Sequence, residues 1–365
     1  MSDMKEIVKG GFYLNEQSKR LNGLAALSLK IALKSYFSTY QSMKYFLHMF
    51  NLDKIKKYNI SEDVINESHS EEYCEKSSES IIHFHHFFEL VCKDILRREH
   101  PLLAVDASNK HEIFYKLLKG EMVTEQDQEG LKSIEFNETL ERLCQLIKKR
   151  NMGSGSLDFF ISSKNFLREL NVLRNRLLHR GVYILRYPAF DNLVGKFVLP
   201  LLKDILALPQ YKGLTNVWKY KSLNCGIDPI NEIISDFKKS KYDITKIAFL
   251  KELGRSAYNN QIMQARNNFL NDEKIKEIEK MAKTQIGEPN ISYITQCPVC
   301  GLDTLIVYDD IETDDYDEKT GTYAKAWLYT WQVRCISCTF EIDRHLKNPS
   351  EYGFDIPDYW NGKEL

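Results

Sequence analysis

Apolar positions recur at helical spacing through most of this chain. Leu21–Phe50 predicts one long amphipathic helix. Ser77–Glu99 predicts a second, with Ile81, Ile82, Phe84, Phe87, Phe88, Val91, Ile95 and Leu96 as its buried stripe and Pro101 ending it. His111–Lys119 is a short third. Gly130–Arg150 is a fourth, carrying Leu140, Leu143, Leu146 and Ile147 and stopping at the Gly/Ser-rich turn Asn151–Ser156. Leu157–Arg180 is a fifth, with Gly181 placed to close it in the left-handed conformation. Asn192–Leu208 is a sixth. The pattern weakens after Pro209 and resumes over Pro229–Lys238 and Ile244–Lys283, with no internal repeat. Near Gly287-Glu-Pro289 the period changes, and Thr304–Ile311 and Trp327–Arg334 read as strands. The expected fold is mainly α: a helical bundle over residues 1–209, a helical linker or extension over 210–290, and a small β-rich C-terminal domain over 291–365.

With 365 residues, 43% hydrophobic and 28% charged, the chain has the composition of a globular protein of two or three domains. Lys and Arg number 50 against 51 Asp and Glu, a net of −1, so total charge does not point to nucleic acid. The spread is uneven: residues 291–365 hold 6 basic and 14 acidic side chains, a net of −8, and residues 1–290 hold 44 and 37, a net of +7. No stretch approaches the ~20 uninterrupted apolar residues of a spanning helix; the most apolar, Leu21–Phe50, is broken by Lys30, Lys34 and Lys44. The N-terminal sequence lacks the apolar core and cleavage site of a signal peptide. The expectation is a cytoplasmic protein with no membrane partner.

Four of the eight cysteines are scattered singly; Cys297, Cys300, Cys335 and Cys338 form two C-x2-C pairs. Zinc takes four ligands in a tetrahedron, and each C-x2-C turn offers two thiolates from one knuckle. A hairpin between the pairs brings them together, and Gly301 permits the tight turn that aims amides at sulfur. The 34 residues between Cys300 and Cys335 exceed the usual spacing, which reads as an inserted loop over Asp309–Gly321. A redox pair would open a helix in an α/β unit, which this segment lacks. With four cysteines no coordination position is left open, so the predicted cofactor is a structural Zn2+ in a zinc ribbon. The ribbon's acidity disfavours phosphate binding through its own surface, leaving dimerisation, partner docking or stabilisation of the body as its roles.

The other informative segment is Leu170-Asn-Val-Leu-Arg174-Asn175-Arg176-Leu-Leu-His179-Arg180-Gly181. An amphipathic helix end accounts for it in part, with Leu170, Leu173, Leu177 and Leu178 facing a core and basic residues at the negative helix terminus. The neighbourhood is unusual, however. From Arg142 to Arg186 ten basic residues face only Asp158 and Glu169 within the segment, a net of +8, which is the electrostatic footprint of a phosphate ligand. The Arg174, Asn175, His179 spacing resembles the motif of the HEPN superfamily of ribonucleases. Glu89-Leu-Val-Cys-Lys93 resembles the Glu-x3-Lys helix of the same bundles, and together the likeness extends over about Leu21–Leu208. The zinc ribbon is not part of that pattern.

The resemblance implies a HEPN-like helical bundle and RNA cleavage without a catalytic metal. His179 would act as base or acid and Arg174 would stabilise the crowded phosphorane, with Asn175 orienting either. Arg176, Arg180, Glu89 and Lys93 would lie at the substrate. The products would be a 2′,3′-cyclic phosphate and a 5′-hydroxyl. On a regular helix Asn175 and His179 are offset by about 40°, Arg174 and His179 by about 140°. Arg174 and His179 meet at one phosphate only if the helix ends early or a second protomer contributes, and HEPN enzymes resemble the latter, so a homodimer is expected. The likeness also implies a toxin or antiphage defence effector that acts on RNA, transfer RNA among its targets, under an inhibitor or a phage-derived trigger. The alternative is a non-catalytic HEPN-type module that binds RNA or protein, with the ribbon as docking domain. A third reading makes the ribbon itself a nucleic-acid reader, against its charge.

His83 and His86 are spaced to chelate a metal, but no H-E-x-x-H arrangement completes the set. With His85 they read as partly buried helix residues. Glu89 and Lys93 by themselves read as an i,i+4 ion pair. The 20 Tyr and 19 Phe offer stacking surfaces for unpaired bases but belong mostly to a helical core. The acidic run Asp309–Glu318 lacks the alternation of a calcium loop and reads as a solvated turn or as a nucleic-acid mimic that shields the cleft.

Overall fold

The computed structural model describes residues 21–50, 57–106, 111–122, 124, 127, 131–181, 183–214, 223–259, 269–313, 316–317, 321–323, 325–344, 346, 348–357, 359–360 and 362–364. It is mainly α, with a small antiparallel sheet at the C-terminal end. The helices are α1 (Leu21–Met43), α2 (Glu62–Glu67), α3 (Glu71–Glu99), α4 (His111–Lys119), α5 (Phe136–Arg150), α6 (Phe159–Ser162), α7 (Lys164–Arg180), α8 (Tyr187–Leu193), α9 (Leu199–Ala207), α10 (Pro229–Lys238), α11 (Ile244–Asn259) and α12 (Phe269–Thr284). Among the described residues no helix is long and apolar enough to cross a membrane.

Periodicity placed most of these elements, and the departures have local causes. The Leu21–Phe50 helix ends at Met43 and tightens into a 3-10 turn over Lys44–Phe50. α3 begins at Glu71, earlier than its apolar stripe, because Glu71 and Glu72 suit the positive end of a helix. It stops at Glu99, where His100 caps a short 3-10 turn that begins with Pro101. The expected Asn192–Leu208 helix is instead α8 and α9 joined by a π-turn over Val194–Val198. Gly195 on that turn lies against Phe237, where a Cβ would fall 2.0 Å from the ring. The expected Ile244–Lys283 helix is divided into α11 and α12, and residues 260–268 lie outside the described ones.

The described chain forms two compact units: Met1–Ala32 with Ser78–Tyr183 and Leu201–Trp218, and Leu33–Ser77 with Ile184–Pro200 and Lys219–Leu365. These differ from sequential boundaries at 209 and 290. The texture change near residue 290 marks a switch of secondary structure, and the β-rich segment hydrogen-bonds to α11 within one unit (Glu341 amide to Glu252, 2.7 Å).

The first unit packs Ile81, Phe84, Phe87, Phe88, Val91 and Leu96 of α3 with Leu140 and Leu143 of α5 and Leu167 and Leu170 of α7, all nearly inaccessible. Burial of each such side chain stabilises by about 1.5–3 kcal/mol. Leu178, expected in the core, is 48% exposed, since the last turn of α7 runs past the packed region. In the second unit Phe37, Tyr36 and Tyr40 of α1 are buried, and α11 comes close because Gly254 offers no Cβ where one would lie 2.5 Å from the Phe37 ring.

Besides the two-stranded pairs β1 (Val105–Asp106) with β2 (Lys132–Ser133) and β5 (Tyr316–Asp317) with β6 (Thr322–Tyr323), the sheet runs β3 (Ile291–Thr295), β4 (Leu305–Thr313), β7 (Ala326–Cys335) and β8 (Glu341–Asp343) in that spatial order, all antiparallel, with β9 (Gly362–Glu364) also on β7. Asp309–Gly321 is therefore not simply a loop. Asp309–Thr313 continues β4 past a bulge at Tyr308/Asp309, opposite Ala326–Thr330, and Asp310 and Glu312 are exposed. Residues 314–315 and 318–320 of the acidic run lie outside the described residues.

Candidate functional site

α7 runs unbroken to Arg180 and closes on Gly181, whose φ of 64° is the expected left-handed stop. A regular helix to that point leaves Arg174 and His179 about 140° apart on one protomer. The Arg174 guanidinium donates to the Asn175 side-chain oxygen at 2.8 Å, and both residues are half-buried. His179 is exposed and makes no hydrogen bond among the described residues. Arg176 is exposed, its guanidinium 5.7 Å from the Tyr183 ring centre. The side chain of Arg180 lies outside the described residues.

Beside Arg174 lies a polar network that the chain pattern did not reveal. His85 on α3 is 2% exposed, and its Nε2 shares a 2.8 Å hydrogen bond with the carboxamide oxygen of Asn171, one turn before Arg174. The ring of Phe136 meets His85 edge-on at 4.7 Å. Nδ1 of His85 stands 3.9 Å from Glu89, which accepts from Lys93 at 2.6 Å. His86 pairs with Ser28 at 2.8 Å. Burial lowers the His85 pKa to about 4, Glu89 and the Asn171 bond raising it and the Arg174 and His86 charges lowering it further. His85 is therefore neutral near pH 7 and serves as a fixed hydrogen-bonding group. The Glu89–Lys93 pair is the expected i,i+4 ion pair. The spacing of His85 to Glu89 was visible in the sequence, but Asn171 is 86 residues away and only packing brings it there.

The cationic run from Arg142 to Arg186 is less free than its composition indicates. Arg142 pairs with Glu138 and donates to the Leu103 carbonyl at 3.1 Å. Lys164 and Arg168 share Glu141, and Arg186 pairs with Glu62 and Asn66. The acids that oppose the run lie outside it, so a count within the segment overlooked them. Lys148, Lys149 and Arg150 at the end of α5, together with Arg176, are exposed.

The four-cysteine cluster assembles as the spacing predicts. The four sulfurs lie within 4.8 Å of one another. Cys297 and Cys338 are 3.5 Å apart and Cys300 and Cys335 3.7 Å. Zinc–sulfur bonds of about 2.3 Å in a tetrahedron require sulfur–sulfur edges of about 3.8 Å, so the cluster has the size of a metal site. The Val299 amide points at Cys297 and the Cys338 amide at Cys335, each at 3.4 Å, as metal thiolates require. Thr304 stands 3.1 Å from the Cys335 sulfur. Cys297, Cys335 and Cys338 are fully buried.

A second buried polar group was not anticipated. Lys251 on α11 and Asp191 on α8 form an ion pair with no exposed surface. Lys251 also donates to Thr39 at 3.0 Å and lies 3.9 Å from the Tyr187 ring centre and 4.6 Å from that of Tyr36. Burial pushes the lysine down and the aspartate up, and each partner's charge opposes that shift.

No model of a known protein family, no curated protein and no solved structure matches this chain.

Proposed function

We propose that the chain is a metal-independent endoribonuclease of HEPN type that works as a homodimer, with a structural zinc held by Cys297, Cys300, Cys335 and Cys338. The observation that carries this reading is the Arg174–Asn175 pair, half-exposed on the unbroken helix whose last turn presents His179 to solvent. Among the described residues His179 has no hydrogen-bond partner, so its imidazole is accessible to a substrate. In the proposed reaction the ribose 2′-OH gives up its proton as it attacks phosphorus, the P–O5′ bond breaks, and the 5′-oxygen is protonated. His179 moves a proton, and Arg174 donates to the phosphoryl oxygens as charge gathers on them. Asn175 orients the guanidinium it contacts. Because Arg174 and His179 diverge on one helix, the second protomer supplies the partner group. Glu89 and Lys93, with neutral His85 and Asn171, hold the Arg174 side of the cleft, and Arg176 and Arg180 meet the substrate backbone.

The zinc closes the two knuckles of the ribbon and takes no part in cleavage, all four of its positions being cysteine. A toxin or antiphage effector released by a trigger or restrained by an inhibitor is the setting that the family likeness suggests. A binding module without catalysis is the second reading, favoured by the divergence of Arg174 and His179 within a protomer. Sequencing of RNA ends after induction of wild type, Arg174→Ala and His179→Ala separates the two. The nuclease produces new 5′-hydroxyl ends that both variants lose while RNA binding persists. Absence of such ends in the wild type, with RNA or protein binding retained, establishes the module.

A further inference from the structure

The two cysteine knuckles are not free ends of a ribbon. The segment Leu223–Cys225 lies along the first: the Asn224 amide donates to the Val299 carbonyl at 3.2 Å and the Cys225 amide to that of Pro298 at 2.8 Å. Helix α11 holds the second. Glu252 has no exposed side-chain surface, and its Oε1 accepts the Glu341 amide at 2.7 Å. Arg255 clasps both oxygens of Glu252 at 2.7 Å and also donates to the hydroxyl and carbonyl of Thr339. Thr339 follows Cys338 directly and sits at a φ of 60°, a left-handed conformation that a threonine holds only when its surroundings impose it. Lys44 adds a 2.7 Å bond to Glu341. On α11 the residue before Glu252 is Lys251, whose pairing with Asp191 ties the same helix to α8.

The buried carboxylate of Glu252, which also accepts from Gln41 at 3.0 Å, completes its hydrogen bonds with the Glu341 amide just past the second knuckle, and a metal held by the four thiolates would fix that knuckle's shape. We propose that metal binding at the four cysteines sets the stability of helix α11, through Glu252 and Arg255, making the second unit a metal-dependent conformational switch. Without metal the knuckle relaxes, the Glu341 amide and Thr339 carbonyl leave, and the Glu252–Arg255 pair remains buried with unfilled partners. The effect passes along α11 to the Lys251–Asp191 pair. Linkage makes the coupling reciprocal: loosening Glu252 or Arg255 weakens metal binding by the factor by which metal stabilises the helix.

The test is hydrogen exchange on the full chain, loaded with zinc and then stripped with a chelator, with zinc content measured in both states. The expected result is exchange at the 244–258 amides at least about tenfold faster without zinc, with the 136–150 amides unchanged. Arg255→Lys, a mild change, and Glu252→Gln should each bind zinc more weakly and show a smaller zinc-dependent protection of α11, in proportion. Unchanged protection of α11 after complete zinc removal overturns the proposal, as does equal loosening of 136–150, which signifies general unfolding. Wild-type zinc affinity in Arg255→Lys with reduced protection also overturns it. The proposal rests on the metal reading of the four cysteines; a chain that never takes up zinc defeats that reading, whereas one that takes up zinc with α11 indifferent defeats only the coupling.

Discussion

The four-cysteine knuckles and the last turns of α7 solve opposite problems. Three of the four sulfurs are fully buried, amides point at two of them, and neighbouring backbone is tied to the segment Leu223–Cys225 on one side and to Glu252 of α11 on the other. At the end of α7, among the described residues, His179 is exposed without a hydrogen-bond partner and Arg174 bonds to its neighbour Asn175. A site meant to hold shape uses up its polar valences internally. On the proposed reading the end of α7 leaves some unspent for another molecule, while His85, Asn171, Glu89 and Lys93 beside it are paired.

The contrast is tested hardest by removing the metal. Apparent zinc binding energies for structural sites are on the order of 10 kcal/mol, so chelation or Cys335→Ser should lower the thermal midpoint by about 10 °C or more. An unchanged midpoint makes the knuckles a bystander. Breaking the buried pair comes next. Lys251→Met leaves Asp191 buried and unpaired and should cost about 3–5 kcal/mol in denaturant unfolding, and adding Asp191→Leu should recover most of it. A double variant no better than the single one would place the energy in the aromatic surroundings.

On the open side, Arg174→Ala and His179→Ala should each reduce RNA cleavage by roughly 100- to 10,000-fold while changing stability by less than about 1 kcal/mol. A stability loss matching the activity loss would turn α7 into another closed site. The His85 network gives a final, pH-dependent measure. Burial, with the Arg174 and His86 charges, outweighs Glu89 and Asn171 and lowers its folded pKa from 6.5 to about 4. The unfolded chain then binds the proton more readily. The stability tied to neutral His85 is complete above pH 6.5 and is lost as pH falls toward 4, by about 3 kcal/mol in all. His85→Gln keeps a bond to Asn171 and should flatten that slope in unfolding curves between pH 4 and 7.

Much of the molecule was legible from spacing. The stripe of α3, the stop at Gly181 and the C-x2-C pairs are set by contacts within one or two turns, where period and φ restrict the choices. So was the Glu89–Lys93 pair, because residues four apart share a helix face. The composition of Arg142–Arg186 was misleading for the same reason. It counted charges along the chain, whereas Arg168 meets Glu141 and Arg186 meets Glu62 across helices.

Periodicity and motif spacing by themselves determined a mainly α chain, its C-terminal strands and a convergent set of four thiols, since each is a local property of backbone geometry. Tertiary structure alone decided that His85 faces Asn171, that Lys251 is buried on Asp191, and that Glu252 supports a knuckle 89 residues away. Such partners are chosen by which faces pack when apolar surface leaves water, and a polar group caught there binds whatever complementary group arrives with it. No spacing along the chain encodes that meeting.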